Sequence, residues 1–332
     1  MQTRKLGAAG PEVSAIGVGA MSLTSFYGPV TEDEALNVLH TALDLGIDHL
    51  DTSNVYGMGL SERIIGKFLA THKGESPFRI ATKAGITRDA ATGARCYDNS
   101  AEHLTAELDA SLARMGIDRV DLFYVHRRDP SVPIEEVAGS LGRLVDAGKI
   151  GAIGFSEIAP SSLRRAAAVH PVAAVQSEYS LSTRAPELGL VQATRDLGTA
   201  LVAFSPVGRG LLTDTPPTAE TVQGSDFLKG NPRFQEPDFS ANLAQSDGFR
   251  ELAAEMGTPA SALAIAWLLH QGQHVIPIPG TRSAAHLREL AAGADLRLSP
   301  NDMARIEAAL PLGWASGDRY SDAQWIGPER YS

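Results

Sequence analysis

Short apolar segments alternate with amphipathic segments along most of this chain. The length of the apolar segments is typical of buried strands. They occupy Ile16–Ala20, His49–Thr52, Arg79–Ala84, Val120–His126, Ile150–Ser156, Ala173–Ser177, Ala200–Ser205 and Val275–Pro279. The amphipathic segments carry apolar residues at helical spacing, most clearly in Glu32–Leu45, Ser100–Met115, Ile134–Ala147 and Ser161–Val169. Thr31, Ser100 and Ser283 are predicted helix N-caps, the last of them before a helix over Ala284–Ala292.

Eight strand–helix units in one continuous series predict an α/β fold, a (β/α)₈ TIM barrel, with residues 1–332 as a single domain. The competing doubly wound sheet needs G-x-G-x-x-G after its first strand. The segment Gly17-Val18-Gly19-Ala20-Met21-Ser22 lacks the third glycine, so we set that fold aside. Thr3–Leu6 and Glu12–Ala15 predict an N-terminal β-hairpin. Thr213–Ser246, rich in Pro, Asp and Gln, predicts a long loop at the C-terminal face of the barrel.

Composition excludes several classes of protein. The formal net charge is −10 and no run of Lys and Arg occurs, which argues against a nucleic-acid partner. The single cysteine, Cys96, excludes an intrachain disulfide and a multi-cysteine metal site. No apolar run approaches the roughly 18 residues of a membrane span, and the first residues lack the apolar core of a secretory signal. We expect a cytoplasmic protein with no membrane partner; composition does not indicate its oligomeric state.

Ionisable side chains occupy three neighbouring strand ends. Asp51 ends the second predicted strand and Tyr56 lies in the loop after it, while Lys83 and His126 end the third and fourth strands. In this type of barrel the C-terminal ends of the strands carry the active site. A buried lysine also needs a carboxylate partner, which Asp51 can supply. Each residue alone has an ordinary structural explanation, but together they indicate a catalytic group.

Reduction of a carbonyl explains this set of four. It needs a hydride on the carbon and a proton on the oxygen, and Tyr56 can donate the proton. The ammonium of Lys83 is expected to lower the pKa of Tyr56 from its usual value of about 10. Asp51 would hold Lys83 in place, and His126 would hydrogen-bond the carbonyl oxygen and orient it.

These residues resemble the catalytic tetrad of the aldo-keto reductase family. The matching segments run in family order from Gly46 to Arg282: GIDHLDTSNVYG, RIATKAG, DLFYVHRRDP, KIGAIGFSE, AAVQSEYS, FSPVGRGLL and IPIPGTR. The segment Asn231-Pro232-Arg233-Phe234 resembles the branch that acts on varied aldehydes and ketones. The resemblance implies a barrel that binds NADPH without a metal, reduces a small carbonyl substrate, and uses Asp51, Tyr56, Lys83 and His126 as its catalytic residues.

The resemblance also implies a set of cofactor contacts. The nicotinamide end would be lined by Gly19, Ala20, Met21 and Asp51, the carboxamide bound by Ser156 and Gln176, and the ring stacked on Phe204. The pyrophosphate would lie beside Ser205, Pro206, Gly208, Gly210 and Leu211, whose backbone N–H groups can hold phosphate oxygens. The adenosine 2′-phosphate and its surroundings would meet Gly280, Thr281, Arg282, Ser283, His286 and Glu289. Alternatively, Thr281 and Ser283 only cap a helix and Arg282 is only solvated.

Four positions depart from the family pattern. Glu157 stands where many members have Asn, and Phe204 replaces a common Tyr. His286 replaces an Arg near the 2′-phosphate, and Leu290 replaces an adenine-binding Asn, although Glu289 is retained. These changes weaken the expected preference for NADPH over NADH.

Two other functions fit parts of the pattern. A class I aldolase would use Lys83 to form a Schiff base, although a neighbouring Asp51 would keep that lysine charged. An auxiliary subunit would bind NADPH and regulate a partner without significant turnover.

The substrate pocket is expected to form from variable loops. These are Ser22–Pro29, Arg127–Val132, Thr213–Ser246 and Gly313–Ser332. Phe26, Tyr27, Trp314 and Trp325 either line this pocket or pack the loops, and Arg127 and Arg128 face either substrate or solvent.

Overall fold

An antiparallel hairpin of β1 (Thr3–Lys5) and β2 (Glu12–Ser14) opens the chain, as predicted. The computed structural model describes residues 1–8, 10–89 and 91–331; Ala9 in the predicted turn, and Ser332 at the end of a predicted pocket segment, lie outside the described residues. Arg4 in β1 donates to the carbonyl oxygens of Val275 at 2.6 Å and Leu269 at 2.7 Å. These bonds fix the hairpin across one end of the main sheet.

The main sheet contains eight parallel strands in chain order. They alternate with helices, and a second small hairpin interrupts the series after the third strand. In chain order the strands are β3 (Val18–Gly19), β4 (His49–Asp51), β5 (Arg79–Ala84), the hairpin β6 (Ile86–Arg88) and β7 (Arg95–Tyr97), then β8 (Leu122–Val125), β9 (Ile153–Ser156), β10 (Val172–Glu178), β11 (Ala200–Phe204) and β12 (Val275–Pro277).

Backbone hydrogen bonds join the first and last strands of this sheet. The amide of Gly17 donates to the carbonyl of Pro277 and that of Gly19 to the carbonyl of Pro279, each at 2.9 Å. The eight strands therefore form a closed ring, and the predicted (β/α)₈ barrel is confirmed.

In the part of the chain that the structure describes, twelve α-helices accompany the strands. They are α1 (Glu32–Asp44), α2 (Leu60–Leu69), α3 (Ala101–Met115), α4 (Ile134–Asp146), α5 (Pro160–Ala167), α6 (Leu190–Leu197), α7 (Ala219–Gln223), α8 (Asp226–Lys229), α9 (Asp238–Glu255), α10 (Ala260–His270), α11 (Ala284–Ala292) and α12 (Pro300–Ala309). The prediction that Thr213–Ser246 is one long loop was wrong, because α7, α8 and the start of α9 lie within it. The hairpin of β6 and β7 was not predicted.

The three predicted N-caps are confirmed. The side chain of Thr31 accepts from the amide of Glu34, and the Glu34 carboxylate accepts from the amide of Thr31, so α1 begins with a complete capping box. Ser100 and Ser283 cap α3 and α11 by accepting from the third amide of each helix. These side chains satisfy N–H groups that have no partner inside a helix.

Two apolar layers hold the barrel together. The outer layer packs the buried faces of the helices against the sheet. The inner layer fills the barrel, and its members are Leu6, Val13, Ala81, Leu122, Tyr124, Ala174, Ala200, Val202, Ile276 and Ile278. The hairpin contributes Leu6 and Val13 to this layer, so it closes the end of the barrel opposite the strand C-termini. Gly154 leaves room for Tyr124, since a Cβ there would lie 2.5 Å from the Tyr124 ring.

In the described residues, no single helix is long and apolar enough to cross a membrane. Only α9 and α10 taken together meet that length and composition, with a bend of 91° between them.

Candidate active site

A buried ion pair lies at the C-terminal ends of two adjacent strands. The Lys83 ammonium on β5 donates to Asp51 Oδ1 on β4, and the two side chains are 0% and 2% exposed. Lys83 also donates to the carbonyl of Thr52 at 2.9 Å, and Gln176 Nε2 donates to the other Asp51 oxygen at 2.8 Å. The carboxylate therefore accepts on both oxygens, and Lys83 is fixed in one position.

Tyr56 lies above this pair. Its ring centroid is 5.2 Å from Lys83 Nζ and 5.8 Å from the His126 ring, which it meets edge to face. The amide of His126 donates to the carbonyl of Ala84 at 2.8 Å, so this histidine directly follows β8. The structure thus brings together all four residues that the sequence placed at the strand ends.

The electrostatics of Tyr56 differ from the sequence-based expectation. Burial raises the pKa of Tyr56 far above its usual value, and the Asp51 carboxylate raises it further. The guanidinium of Arg127 opposes both effects by lowering the pKa of Tyr56. The net shift is therefore upward rather than the expected downward one, because burial and the Asp51 carboxylate outweigh the opposing positive charge. Tyr56 is therefore protonated at neutral pH, as a proton donor must be.

His126 is neutral and is held by a serine. Burial lowers the pKa of His126 well below its usual value of 6.5, and the charges of Arg127, Lys83 and Arg95 lower it further. Nδ1 of His126 lies 3.1 Å from Ser53 Oγ. When that hydroxyl donates to Nδ1, the ring proton is on Nε2, the tautomer that can donate to a ligand.

The residues expected at the carboxamide are buried and have protein partners. Ser156 ends β9, and its hydroxyl accepts from Arg127 Nη1 at 2.9 Å. Gln176 on β10 donates one amide hydrogen to Asp51. Ser156 and Gln176 lie on neighbouring strands with their Cα atoms in register. Both therefore sit at the rim beside the ion pair, as the expected contact requires.

The segment after β11 is a sharply bent loop. Phe204 ends the strand partly exposed, and Ser205 and Arg209 take positive φ angles of 50° and 57°, which are strained for residues with a side chain. The amides of Gly208, Gly210 and Leu211 donate to carbonyls within the loop. These three N–H groups are therefore already satisfied within the loop, and the Leu211 side chain is part of the apolar core.

The segment after β12 carries polar residues and packs against β3, the first strand of the barrel. Gly280 packs against β3, where a Cβ would lie 2.8 Å from the carbonyl oxygen of Gly19. Arg282 is exposed and donates to the carbonyl of Pro29 at 2.9 Å. His286 and Glu289 are exposed on α11. Leu290, by contrast, is 4% exposed and packs in the outer core, which explains an apolar residue there.

These features fit a dinucleotide. Phe204, a partly exposed aromatic ring at the end of β11, and Arg282, an exposed cation just before α11, lie after the last two strands of the barrel. The N-terminus of α11, nine residues long, favours an anion. The residues expected to meet the cofactor that remain accessible are Gly19, Met21, Phe204, Ser205, Gly210, Gly280, Thr281, Arg282, Ser283, His286 and Glu289, whereas Ala20, Pro206 and Gly208 are buried.

A buried ionic network, which sequence reasoning missed, ties the C-terminal segment to the strand ends. Arg319 donates to Glu157 after β9 and, at 3.3 Å, to Glu178 at the end of β10. Arg209 donates to the same Glu178 carboxylate at 2.7 Å, and Arg233 donates to Thr183 at 2.6 Å beside it. Glu157 therefore holds the tail in place, and only its unusual presence beside Ser156 was a signal in the sequence.

Aromatic residues of the predicted pocket loops divide into two groups. Phe26 and Tyr27 contact Phe227 with ring centroids 5.1 and 6.2 Å apart, which joins the first loop to the segment before α9. Trp314 donates to the carbonyl of Leu181 at 2.8 Å, and Trp325 donates to Asp318 at 2.7 Å. The two tryptophans thus pack the tail, while the first group borders the mouth of the barrel.

Comparison with known proteins agrees with this geometry. A sequence profile of the Aldo/keto reductase family matches residues 15–311. The chain is 38% identical over 321 residues to an NADP(+) aldo-keto reductase of Schizosaccharomyces pombe, covering 96% of this chain and 94% of that protein. It is equally identical, at 38%, to a probable aldo-keto reductase of Glycine max, covering 96% and 92%. The protein belongs to the aldo/keto reductase family, and is therefore an oxidoreductase.

Solved structures support the same fold. A glycerol dehydrogenase from Gluconobacter oxydans superposes with a TM-score of 0.81 at 28% identity, covering 93% of this chain and 94% of that one. An aldo-keto reductase from Bacillus halodurans superposes with a TM-score of 0.78 at 23% identity, covering 98% and 99%.

Proposed function

We propose that this protein reduces aldehydes or ketones to alcohols with NADPH, with Asp51, Tyr56, Lys83 and His126 as its catalytic residues. The observation that carries the proposal is the meeting of Tyr56, His126 and the buried Lys83–Asp51 pair at one end of the barrel. Membership of the aldo/keto reductase family supports the reaction class.

The proposed chemistry follows from the protonation states. Bound NADPH supplies the hydride. The Tyr56 hydroxyl donates its proton to the carbonyl oxygen, and the nearby Lys83 ammonium stabilises the phenolate that forms. Asp51 keeps Lys83 charged and in place. In the reverse reaction the same tyrosine acts as the base.

His126 would orient the carbonyl oxygen. Its Nε2–H can donate to that oxygen only while Nδ1 accepts, and the Ser53 hydroxyl is the group placed to donate to Nδ1. We assign Ser53 a positioning role, since it selects the tautomer without touching the substrate.

The remaining cofactor contacts form part of the same proposal. Ser156 and Gln176 would bind the carboxamide, and Phe204 would cover one face of the nicotinamide ring. Arg282 is the residue that would distinguish NADPH from NADH, because its guanidinium is exposed at the start of α11 and can turn from Pro29 to a phosphate. A cytoplasmic location and a single domain over residues 1–332 are proposed from the sequence alone.

Steady-state oxidation of NADPH with a panel of aldehydes and ketones tests this function. Turnover with any of them, absent in Tyr56→Phe, is the expected result. Tight NADPH binding without turnover on the whole panel would favour the auxiliary-subunit alternative. A covalent adduct on Lys83 after borohydride treatment with a carbonyl compound would favour the aldolase, although the fully buried pairing of Lys83 with Asp51 opposes nucleophilic attack.

A further inference from the structure

Arg127 is a buried cation without an ionic partner. It directly follows His126 and is 9% exposed. Among residues 1–8, 10–89 and 91–331, no carboxylate oxygen lies within 4.0 Å of its guanidinium, whereas its neighbour Arg128 pairs with Glu329 at 3.3 Å. Buried charges are normally paired. The unpaired Arg127 guanidinium beside a catalytic residue therefore indicates a binding site for an anionic ligand.

The donors of Arg127 are only partly used. Nη1 donates to the carbonyl of His126 at 2.7 Å and to the hydroxyl of Ser156 at 2.9 Å. No other hydrogen bond from Arg127 occurs within the described residues, so Nε and Nη2 retain three N–H donors. The Nε atoms of Arg209 and Arg319 are buried and have no hydrogen-bond partner. Nε and Nη2 of Arg127 are not among such buried atoms, so they face accessible space.

The backbone that carries Arg127 is held firmly. Asn99 donates to the carbonyl of Arg127 at 3.1 Å and accepts from the amide of Asp129 at 2.8 Å. These bonds tie the segment after β8 to the segment after the β6–β7 hairpin. The guanidinium is therefore presented from a fixed base, as a specific binding group requires.

A second unpaired arginine adds to the positive charge at this place. Arg95 on β7 is exposed, lies 5.6 Å from the Tyr97 ring centroid and forms no salt bridge in the described part of the chain. Its charge also lowers the pKa of His126. The nearby carboxylates, Glu157 and Glu178, are already paired with Arg319 and Arg209. In a protein of net charge −10, the segments that follow β5 and β8 thus carry two arginines without a carboxylate partner among the described residues.

The phosphates of NADPH do not account for these two cations. The segments expected to meet those phosphates follow β11 and β12, whereas Arg95 and Arg127 lie in the segments after β5 and β8, across the ring of strands. An anion bound by Arg127 would therefore belong to the substrate.

We propose that Arg127, assisted by Arg95, forms an anion-binding subsite and that the physiological substrate is a carbonyl compound carrying a carboxylate or a phosphate. This inference rests on the proposed reductase function and narrows its substrate class.

Matched substrates test the inference. The carboxylate arm compares para-carboxybenzaldehyde with para-formylbenzamide, which has nearly the same shape and no charge. The phosphate arm compares para-formylphenyl phosphate with para-methoxybenzaldehyde, which has no ionisable group. For each arm the ratio of kcat/KM for the charged to the neutral aldehyde is measured with saturating NADPH. We expect a ratio of about 10 or more in at least one arm, decreasing as salt is added.

Variants assign the preference to these arginines. Arg127→Gln should lower the ratio about tenfold or more, to near 1, the effect of losing a charge-assisted hydrogen bond, whereas Arg127→Lys should retain much of the preference. Arg95→Gln should lower it by a smaller factor, and it carries the test if Arg127→Gln does not fold. Arg143→Gln is the matched control, because Arg143 is exposed on α4 and its loss changes the net charge equally; its ratio should equal that of the wild type.

The outcomes distinguish failure of this inference from failure of the proposed reductase function on which it rests. Turnover of charged and neutral aldehydes with equal kcat/KM in both arms, or a ratio unchanged by Arg127→Gln and Arg95→Gln, would overturn the anion subsite and leave the reductase intact. Failure to oxidise NADPH with every aldehyde would overturn both. The arm that shows the preference identifies the anion as carboxylate or phosphate.

Discussion

The Lys83 ammonium and the Asp51 carboxylate form an ion pair that is almost completely hidden from solvent, with side chains 0% and 2% exposed. Burial lowers the pKa of Lys83 below its usual value, and the Asp51 carboxylate limits that shift by raising the pKa. The pair thus keeps a cation 5.2 Å from the Tyr56 ring in a place where an isolated lysine would tend to lose its proton.

This pairing predicts a non-additive effect on stability. Lys83→Met leaves a buried carboxylate without its cation and should lower the free energy of unfolding by about 3–5 kcal/mol. Asp51→Asn combined with Lys83→Met removes both charges and should recover most of that loss. Urea denaturation of the two single variants and the double variant measures the coupling. Losses that simply add in the double variant would show that the two residues are not coupled.

The contact between Ser53 and His126 predicts an effect on catalysis. Ser53→Ala removes the hydroxyl 3.1 Å from Nδ1 and should lower kcat about tenfold, because the histidine then populates the wrong tautomer. Ser53→Thr keeps a hydroxyl and should restore most of the activity. The Nε2 resonance of His126 in nitrogen NMR reports the tautomer directly. An unchanged tautomer in Ser53→Ala would remove the assigned positioning role.

Two buried histidines predict a loss of stability in acid. Burial lowers the pKa of both His49 and His126 below their usual value of 6.5. As the pH falls below about 6.5, the unfolded chain binds protons that the folded chain does not, so the free energy of unfolding decreases by up to about 1.4 kcal/mol per pH unit for each histidine. His49→Leu, which leaves His126 in place, should reduce this slope. Denaturation at several pH values measures it, and an equal slope in both proteins would contradict the prediction.

Arg282 is expected to determine the preference for NADPH over NADH. Arg282→Ala should weaken NADPH binding about 10- to 100-fold and leave NADH binding nearly unchanged, because only NADPH carries the 2′-phosphate. Arg288→Ala is a suitable control, since Arg288 is an exposed arginine on the same helix. Fluorescence titration gives both dissociation constants. Equal losses for the two cofactors would mean that Arg282 does not read the phosphate.

Much of the barrel was predictable because its elements have strong local signals. Residues 284–292 form α11 with the predicted bounds, and the strands differ from prediction mainly at their ends, as with β3, which is limited to Val18–Gly19. The predicted seventh strand ends one residue early, at Phe204, since Ser205 turns to a positive φ of 50°.

The segment before α10 was misread for a physical reason. The buried residues of α9 include the polar Asn242 and Ser246 among apolar ones, so no apolar stripe marks the helix. Asn242 is buried because it holds the tail: its side chain donates to the carbonyl of Ser316 at 2.9 Å and accepts from that residue's amide at 2.8 Å. Such tertiary contacts leave no local pattern in the sequence.

The candidate site, like the fold, could be predicted from the sequence only in part. Strand ends and residue types sufficed to group Asp51, Tyr56, Lys83 and His126. The ionic network could not be found in this way, because Arg319 is separated from Glu178 and Glu157 by 141 and 162 residues. The raised pKa of Tyr56 was also out of reach, since it depends on burial and on the pairing of the neighbouring charges.

The turnover of Tyr56→Phe tests the central claim most directly. The substitution removes only the proposed proton donor, so kcat for aldehyde reduction should fall about 10²- to 10⁴-fold while the dissociation constant for NADPH stays within about twofold. Tyr179→Phe is the matched control, because the Tyr179 hydroxyl contacts Glu187 outside the proposed site, and it should retain turnover. A Tyr56→Phe enzyme with near-wild-type kcat would contradict the account.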